Sequence, residues 1–243
     1  FGTDGKSFTL AKMLGHTVTK LYPSLVQLKT ELTHIKGLKG LKENVGIEAV
    51  SEGKSLGKAE GELLFTEYGV SGNAIFKISS LVTDKENVTL KTEFVPQFSA
   101  GEIYDLLEYR SNLKYINYND LLTGIVNKRI GVAIIKRAGA EELYEKESTR
   151  SAALRKITET LKCFKLKVTG NLGFDYAQVT KGGVNTKEIN PETYESKRAK
   201  GAYIVGEALD ADGDCGGYNL SFAFATGMTA ADDIKKQFKE NEH

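Results

Sequence analysis

The chain has 243 residues, 40% of them hydrophobic and 27% charged, which is the composition of an ordinary globular protein with room for one large domain or two smaller ones. Its 33 Lys and Arg balance 32 Asp and Glu, so the overall charge gives no electrostatic case for a nucleic-acid or membrane partner. No apolar run is long enough to cross a bilayer, no charged-then-apolar leader is read at the start, and the two cysteines, Cys163 and Cys215, form no C-x-x-C pair. A reducing cytoplasm is the expected location.

Residues 1–16 read as a loop and a short helix: Asp4 or Ser7 is placed to cap it, Leu10 and Leu14 share a face, and Gly15 stops it. From 17 to about 97 the pattern changes to strands. The stretches 18–31, 37–50, 58–72 and 87–96 alternate partially and are broken by Gly, Asn, Asp and Pro, which predicts an antiparallel barrel or sandwich, with a helix at 73–81. From 99 to 163 the period is helical. Ser99 followed by Glu102 is a capping box, and Leu121, Leu122, Ile125, Val126, Ile130, Val132, Ile134 and Ile135 recur at spacings near three and four. Strands return at 164–168 and 177–180, and there is no internal repeat or low-complexity linker.

The densest stretch is 180–227. It holds Gly182 and Gly183, an apolar strand-like run at 202–205, Gly206 and Glu207, a turn at 210–213, and then Gly216, Gly217, Tyr218 and Asn219 opening an apolar helix. Adjacent glycines ahead of a helix let backbone approach a ligand, and the first free N–H groups with the positive end of the helix dipole face whatever lies there. On the residues alone, a polyoxygenated or anionic ligand and a tight connection with no ligand both satisfy this pattern. Asp210, Asp212 and Asp214 begin like a calcium loop, but Cys215 stands where that loop needs glycine and Ser221 where it needs a bidentate Glu, so no metal is expected. Cys215, beside the helix start, reads as a packed residue, since no second cysteine is near in sequence. His16, His34 and His243 show no ligand spacing, Ser71 lacks the G-x-S-x-G frame, and the basic clusters at 36–42 and 197–200 read as solvated faces.

Many positions of this stretch carry a resemblance: Thr180, Gly182, Gly183, Val184 and Glu188; Thr193, Glu195, Ser196 and Lys197; Gly201, Tyr203, Gly206, Glu207, Asp210, Asp212 and Gly213; Cys215, Gly216, Gly217, Tyr218, Asn219 and Leu220; and Phe222, Ala223, Ala225, Thr226 and Gly227. Together they resemble the carboxy-terminal signature of bacterial NAD(P)/FAD-dependent oxidoreductases, the aminoacetone-oxidase-family FAD-binding enzymes. A second similar motif runs from Gly61 through Thr66 to Gly69, Val70, Ser71 and Gly72, with Asn73 where the family has proline.

The resemblance implies an α+β fold: a β-barrel-like domain with a helical insertion, flanked by parts of an incomplete Rossmann-like FAD-binding α/β domain. Residues 1–18 would be a remnant of that domain, 19–184 the insertion domain with its helical subdomain at about 99–163, and 185–243 the carboxy-terminal part, so that the two ends meet. No G-x-G-x-x-G follows a strand anywhere. In the family that fingerprint lies in an earlier segment, so the chain is expected to be the larger, carboxy-terminal portion of a longer flavoprotein.

In the same picture Gly206 and Glu207 meet the ribityl chain, where a carboxylate makes charge-assisted hydrogen bonds to hydroxyls. Backbone N–H groups of Gly216, Gly217, Tyr218, Asn219 and Leu220 face the pyrimidine edge of the flavin, and Thr180, Gly182 and Gly183 pass near N5. Gly2, Thr3, Asp4 and Gly5 would border the flavin, or else form an ordinary exposed turn. The implied activity moves hydride between NADH or NADPH and an unidentified small-molecule substrate through flavin N5, with no residue standing out as acid or base. The alternative is an inactive fragment that serves only as a substrate-capping or interaction module, with FAD held weakly or not at all.

Overall fold

A computed structural model describes residues 4–240. The period-two stretches become strands whose apolar positions turn to one side. β1 (Tyr22–Ser24) and β2 (Leu28–Thr30) are short, whereas β3 (Lys42–Ser51) and β4 (Lys54–Phe65) form a long antiparallel hairpin from Lys42↔Leu64 to Ser51↔Lys54. β5 (Gly69–Ser71), β6 (Val88–Glu93) and β7 (Phe164–Asn171) complete a closed antiparallel barrel in the order β2-β5-β4-β3-β6-β7. Closure leaves no free sheet edge, and alternate side chains fill the interior. Val45, Ile47 and Ala49 of β3, Leu63 and Phe65 of β4, Leu90 of β6 and Phe164 and Leu166 of β7 are all buried there.

The helices of this unit bury their apolar faces in the same core. The helix expected at 73–81 is Asn73–Val82, which buries Ala74, Ile75, Ile78 and Val82; it is α2, after α1 (Lys6–Met13). α3 (Ala100–Ser111) starts on the expected capping box: Glu102 N donates to Ser99 Oγ (3.2 Å) and Ser99 N donates to Glu102 Oε2 (2.8 Å). The helical spacing at 121–126 folds instead as turns, because Gly124 takes φ +85° and Asn127 caps a new start by accepting from Arg129 N (3.0 Å). α4 (Lys128–Ala138), α5 (Glu141–Glu145) and α6 (Glu147–Lys162) follow. Ile130, Ile134, Ile135, Leu154, Ile157 and Leu161 join the barrel core.

Backbone contacts divide the chain into one unit, Gln27–Asn171, and another assembled from Phe1–Val26 with Leu172–His243. In the second unit β1 pairs with β8 (Val179–Lys181), and single bridges join Val18 to Val184 and Val184 to Leu209. Its long helix is α7 (Tyr218–Glu240), and its small core gathers Ala11, Val184, Ile189, Ile204 and Leu209.

Two local expectations are corrected here. The run 202–205 is extended but is no strand, since its only ladder contact is the single Glu195↔Tyr203 bridge. In α1 the cap position is Gly5, not Asp4 or Ser7, although Asp4 Oδ1 accepts from Lys6 N (3.1 Å); Ala11 is the buried residue, while Leu10 and Met13 are 59% and 79% exposed. Among the described residues, no helix is long and apolar enough to cross a membrane.

Candidate functional site

The site is built where β8, the one-turn 3-10 segment Gly206–Ala208 and the start of α7 come together. Thr180 N donates to Glu207 Oε1 (2.8 Å), tying the end of β8 to the acid. The Val184↔Leu209 bridge and the bond from Val184 N to Ala208 O (2.8 Å) run beside it. Gly206 N donates to Thr226 Oγ1 (2.9 Å), which fixes the same segment on α7. Glu207 itself is exposed and points one oxygen at Thr180, so its other oxygen is open to an outside donor.

The glycines separate into two kinds. A Cβ on Gly182 would stand 2.3 Å from Lys20 O, one on Gly183 would stand 2.6 Å from Leu209 C, and one on Gly206 would press Ala223 Cβ at 3.2 Å. Those three are accounted for by close packing of the chain on itself. Gly216, at φ +131°, meets only the Tyr218 ring at 3.7 Å, and Gly217, at φ +93°, has nothing within 4 Å. The surface in front of Gly217 is therefore clear.

Behind these glycines α7 begins. Its first intrahelical bond of the turn is Ser221 N to Gly217 O (2.9 Å), which leaves the N–H groups of Tyr218, Asn219 and Leu220 at the free end of the dipole. The Asn219 side chain is not free for a ligand: it accepts from Gly213 N (2.8 Å) and donates to Gly213 O (2.9 Å), closing the loop. Tyr218 and Leu220 are 65% and 69% exposed. Gly2 and Thr3 lie outside the described residues, while Gly5, at φ +74°, opens α1 next to Asp4.

Three supports escaped the sequence. Ser24 Oγ donates to Asp212 Oδ2 (2.9 Å), and the Cys215 thiol lies 3.9 Å from Gln178 Oε1, so β1 and the approach to β8 both hold the aspartate-rich loop. Tyr203 OH donates to Asp233 Oδ2 (2.7 Å), and this bond, with burial and the nearby carboxylates, pushes the phenol up to about 12. The third is a buried polar cluster around His16 and Glu188. The Glu188 carboxylate accepts from Thr17 N (2.9 Å), Thr17 Oγ1 (3.1 Å) and Arg198 Nη2 (3.0 Å), and lies 3.1 Å from His16 Nδ1. Ser196 Oγ already accepts from Arg198 N (3.0 Å) and Ala199 N (2.8 Å), so its proton goes to His16 Nε2 (2.8 Å) and the ring N–H at Nδ1 goes to Glu188. That order resembles a Ser-His-acid triad, but the His16 side chain is fully enclosed. Its chemistry is that of a clamp between residues 16–17 and 188–198. Only composition marked these residues, because the partners lie more than 170 positions apart.

Residues 1–233 match the family described as HI0933-like protein Rossmann domain, and the chain belongs to that family. Among curated proteins it is similar to a 3-dehydro-bile acid Δ4,6-reductase of Clostridium scindens, at 31% identity over 94% of this chain and 57% of the relative. It is also similar to ribosomal RNA dihydrouridine synthases of Haemophilus influenzae, at 28% identity over 95% of this chain and 56% of the relative, and of Escherichia coli, at 27% over 71% and 42%. The chain thus spans little more than half the length of the curated relatives it matches.

Proposed function

We propose that this chain is the larger part of an FAD-dependent oxidoreductase and holds the flavin end of the cofactor across the start of α7. The single observation that carries it is the clear, Cβ-free surface at Gly217 immediately ahead of the free N–H groups of α7, with the exposed Glu207 on the adjoining segment. The donor set fits such a group: helix-end N–H groups suit the electron-rich carbonyl edge of a flavin, and a carboxylate with an open oxygen suits ribityl hydroxyls. When bound, FAD supplies hydride acceptance and donation at N5. This chain's residues bind and orient: Gly216 and Gly217 permit close approach, Tyr218, Asn219 and Leu220 donate from the backbone, Glu207 accepts, and Thr180, Gly182 and Gly183 form the neighbouring wall. NADH or NADPH would be the hydride source and a small unsaturated molecule the acceptor, in keeping with the reductase and dihydrouridine-synthase names of the relatives.

The rest of the nucleotide-binding domain would come from chain beyond this sequence. In support, α7 carries an exposed apolar row, Leu220, Phe224 and Met228, at four-residue spacing, and Leu10 and Met13 of α1 are exposed too. No G-x-G-x-x-G is present to hold the pyrophosphate, so the chain alone should bind FAD weakly and serve at most as an interaction module.

The test is a visible absorption spectrum of the purified chain and of a form extended at its amino terminus, each with and without added FAD. Uptake by the extended form, abolished by Gly217→Val or Glu207→Ala without loss of the folded circular dichroism spectrum, is the expected result. An extended form that stays colourless in excess FAD overturns the proposal.

A further inference from the structure

Two clefts in the barrel unit share Thr33 and His34 as a common wall. The larger, about 440 Å³, lies between the turn 33–38 and the outer face of α4, and Lys36, Lys128, Arg129 and Lys136 line it. The smaller, about 210 Å³, is lined by Arg137, Lys165 and Lys167, with Glu31 as the only acid in either cleft. Seven cations thus face one carboxylate, which lies 3.5 Å from Lys167. Asp120 pairs with Lys128 (3.0 Å) and Glu43 accepts from Asn127 N (3.2 Å), but Lys36, Lys136 and Lys165 have no acid partner among the described residues.

The placement is electrostatically costly without an anion. Lys128 and Arg129 occupy the first turn of α4, which holds no acid, at the helix end where the dipole favours negative charge. Lys136 and Arg137 repeat the pair eight residues on, about 12 Å along the axis at 1.5 Å per residue. Partial burial and the positive charge of Arg137 together hold the His34 imidazole below its ordinary pKa, a sign of the field in the shared wall. With one phosphate per roughly 3.4 Å along a strand, 12 Å covers three or four nucleotides.

We propose that these two clefts form a groove for the phosphate backbone of an RNA strand. The lining decides between phosphate-bearing ligands. It offers no aromatic ring on which an adenine or nicotinamide would stack, and its apolar members Leu38, Val132, Ala133 and Leu166 are buried or half-buried, so no large side chain projects to enter a membrane. A single carboxylate ligand would leave most of the charge unanswered. RNA rather than DNA is the strand to test because two of the similar proteins carry ribosomal RNA in their names. The overall charge balance had argued against a nucleic-acid partner, but a near-neutral total conceals this local concentration. The groove needs no flavin, so its test and that of the cofactor site are independent.

The experiment measures fluorescence anisotropy of a 5′-labelled 12-nucleotide RNA titrated with the full chain between 50 and 200 mM salt. The comparison is Lys36→Ala/Lys136→Ala, with Lys54→Ala/Lys200→Ala as a control pair outside the groove. Four neutralised phosphates predict a log–log salt slope of about −3, and the groove pair should make it shallower by about 1.4 and weaken binding about tenfold or more. The control pair should bind as the unsubstituted chain does, and circular dichroism should be the same for all three. No RNA binding, or equal binding by the groove pair, overturns the proposal. So does displacement of RNA by inorganic pyrophosphate well below the concentration at which sulfate of equal ionic strength acts, which would make the groove a small-phosphate site. Capture by phosphatidylglycerol vesicles that depends on Lys36 and Lys136, without RNA binding, would make it a membrane face and would also overturn it.

Discussion

Glu188 shows how one residue can hold two distant parts of the chain. Hydrogen bonds from Thr17 N first, and then from Arg198, Thr17 Oγ1 and His16, lower its carboxyl from 4.5 to about 2. A folded-state pKa below the unfolded value means the carboxylate's stabilisation is complete above about 4.5 and is lost as pH falls toward 2. Glu188→Gln keeps the shape but not the charge, so its melting temperature should lie below that of the parent at pH 7, and the gap should close between pH 4.5 and 2. Thermal melts followed by circular dichroism at pH 7, 4, 3 and 2 measure this; an unchanged gap across the series would mean the carboxylate's charge contributes nothing. The cluster was hidden in the sequence because His16, Glu188 and Ser196 each look ordinary, and only the fold brings them into reach. The glycines were easier to find than to interpret. Gly182, Gly183 and Gly206 stood out beside Gly217, but backbone packing accounts for those three and leaves only the open face at Gly217 unexplained by the chain itself.

At the scale of elements, the barrel strands were legible because alternation has a period of two, and so was α3, whose cap is written in Ser99 and Glu102. The spacing at 121–126 misled because apolar residues three and four apart are buried equally well by successive turns, and the run 202–205 misled because a β-rich composition does not supply a neighbouring strand. The β3–β4 hairpin holds a local conflict. Its two loop residues, Glu52 at φ +49° and Gly53 at φ +78°, have the positive φ pair of a type I′ turn, a position where Asn is favoured and Glu is not. Glu52 is exposed and makes no ion pair among the described residues. Glu52→Asn should therefore stabilise the chain by about 0.5 kcal/mol or more, raising the melting temperature by about 1–3 °C at constant protein concentration. A lowered melting temperature would show that the turn's strain is relieved by something other than its residue types.

At the scale of the molecule, the barrel unit is one continuous stretch, Gln27–Asn171, whereas the other unit is assembled from both ends of the chain. Every member of the large core, from Leu28 to Leu166, lies within that stretch. Its two ends are also neighbours, because Leu28 pairs with Asn171 across the β2–β7 ladder, at the roughly 5 Å spacing of an antiparallel pair. A unit with its own closed barrel, its own core and adjacent ends has what independent folding requires. Residues 27–171 expressed alone should therefore melt in a single cooperative transition and keep the far-UV spectrum of a mixed α/β protein. Phe1–Val26 joined to Leu172–His243 through a short glycine linker should keep the Glu188 clamp, because His16 and Thr17 and their partners all lie in those two segments. Its signature would be the same loss of stability between pH 4.5 and 2 seen in the whole chain, abolished by Glu188→Gln. A barrel stretch with no cooperative melt would show that its core depends on residues outside 27–171, and a joined form without the acid transition would show that the clamp does.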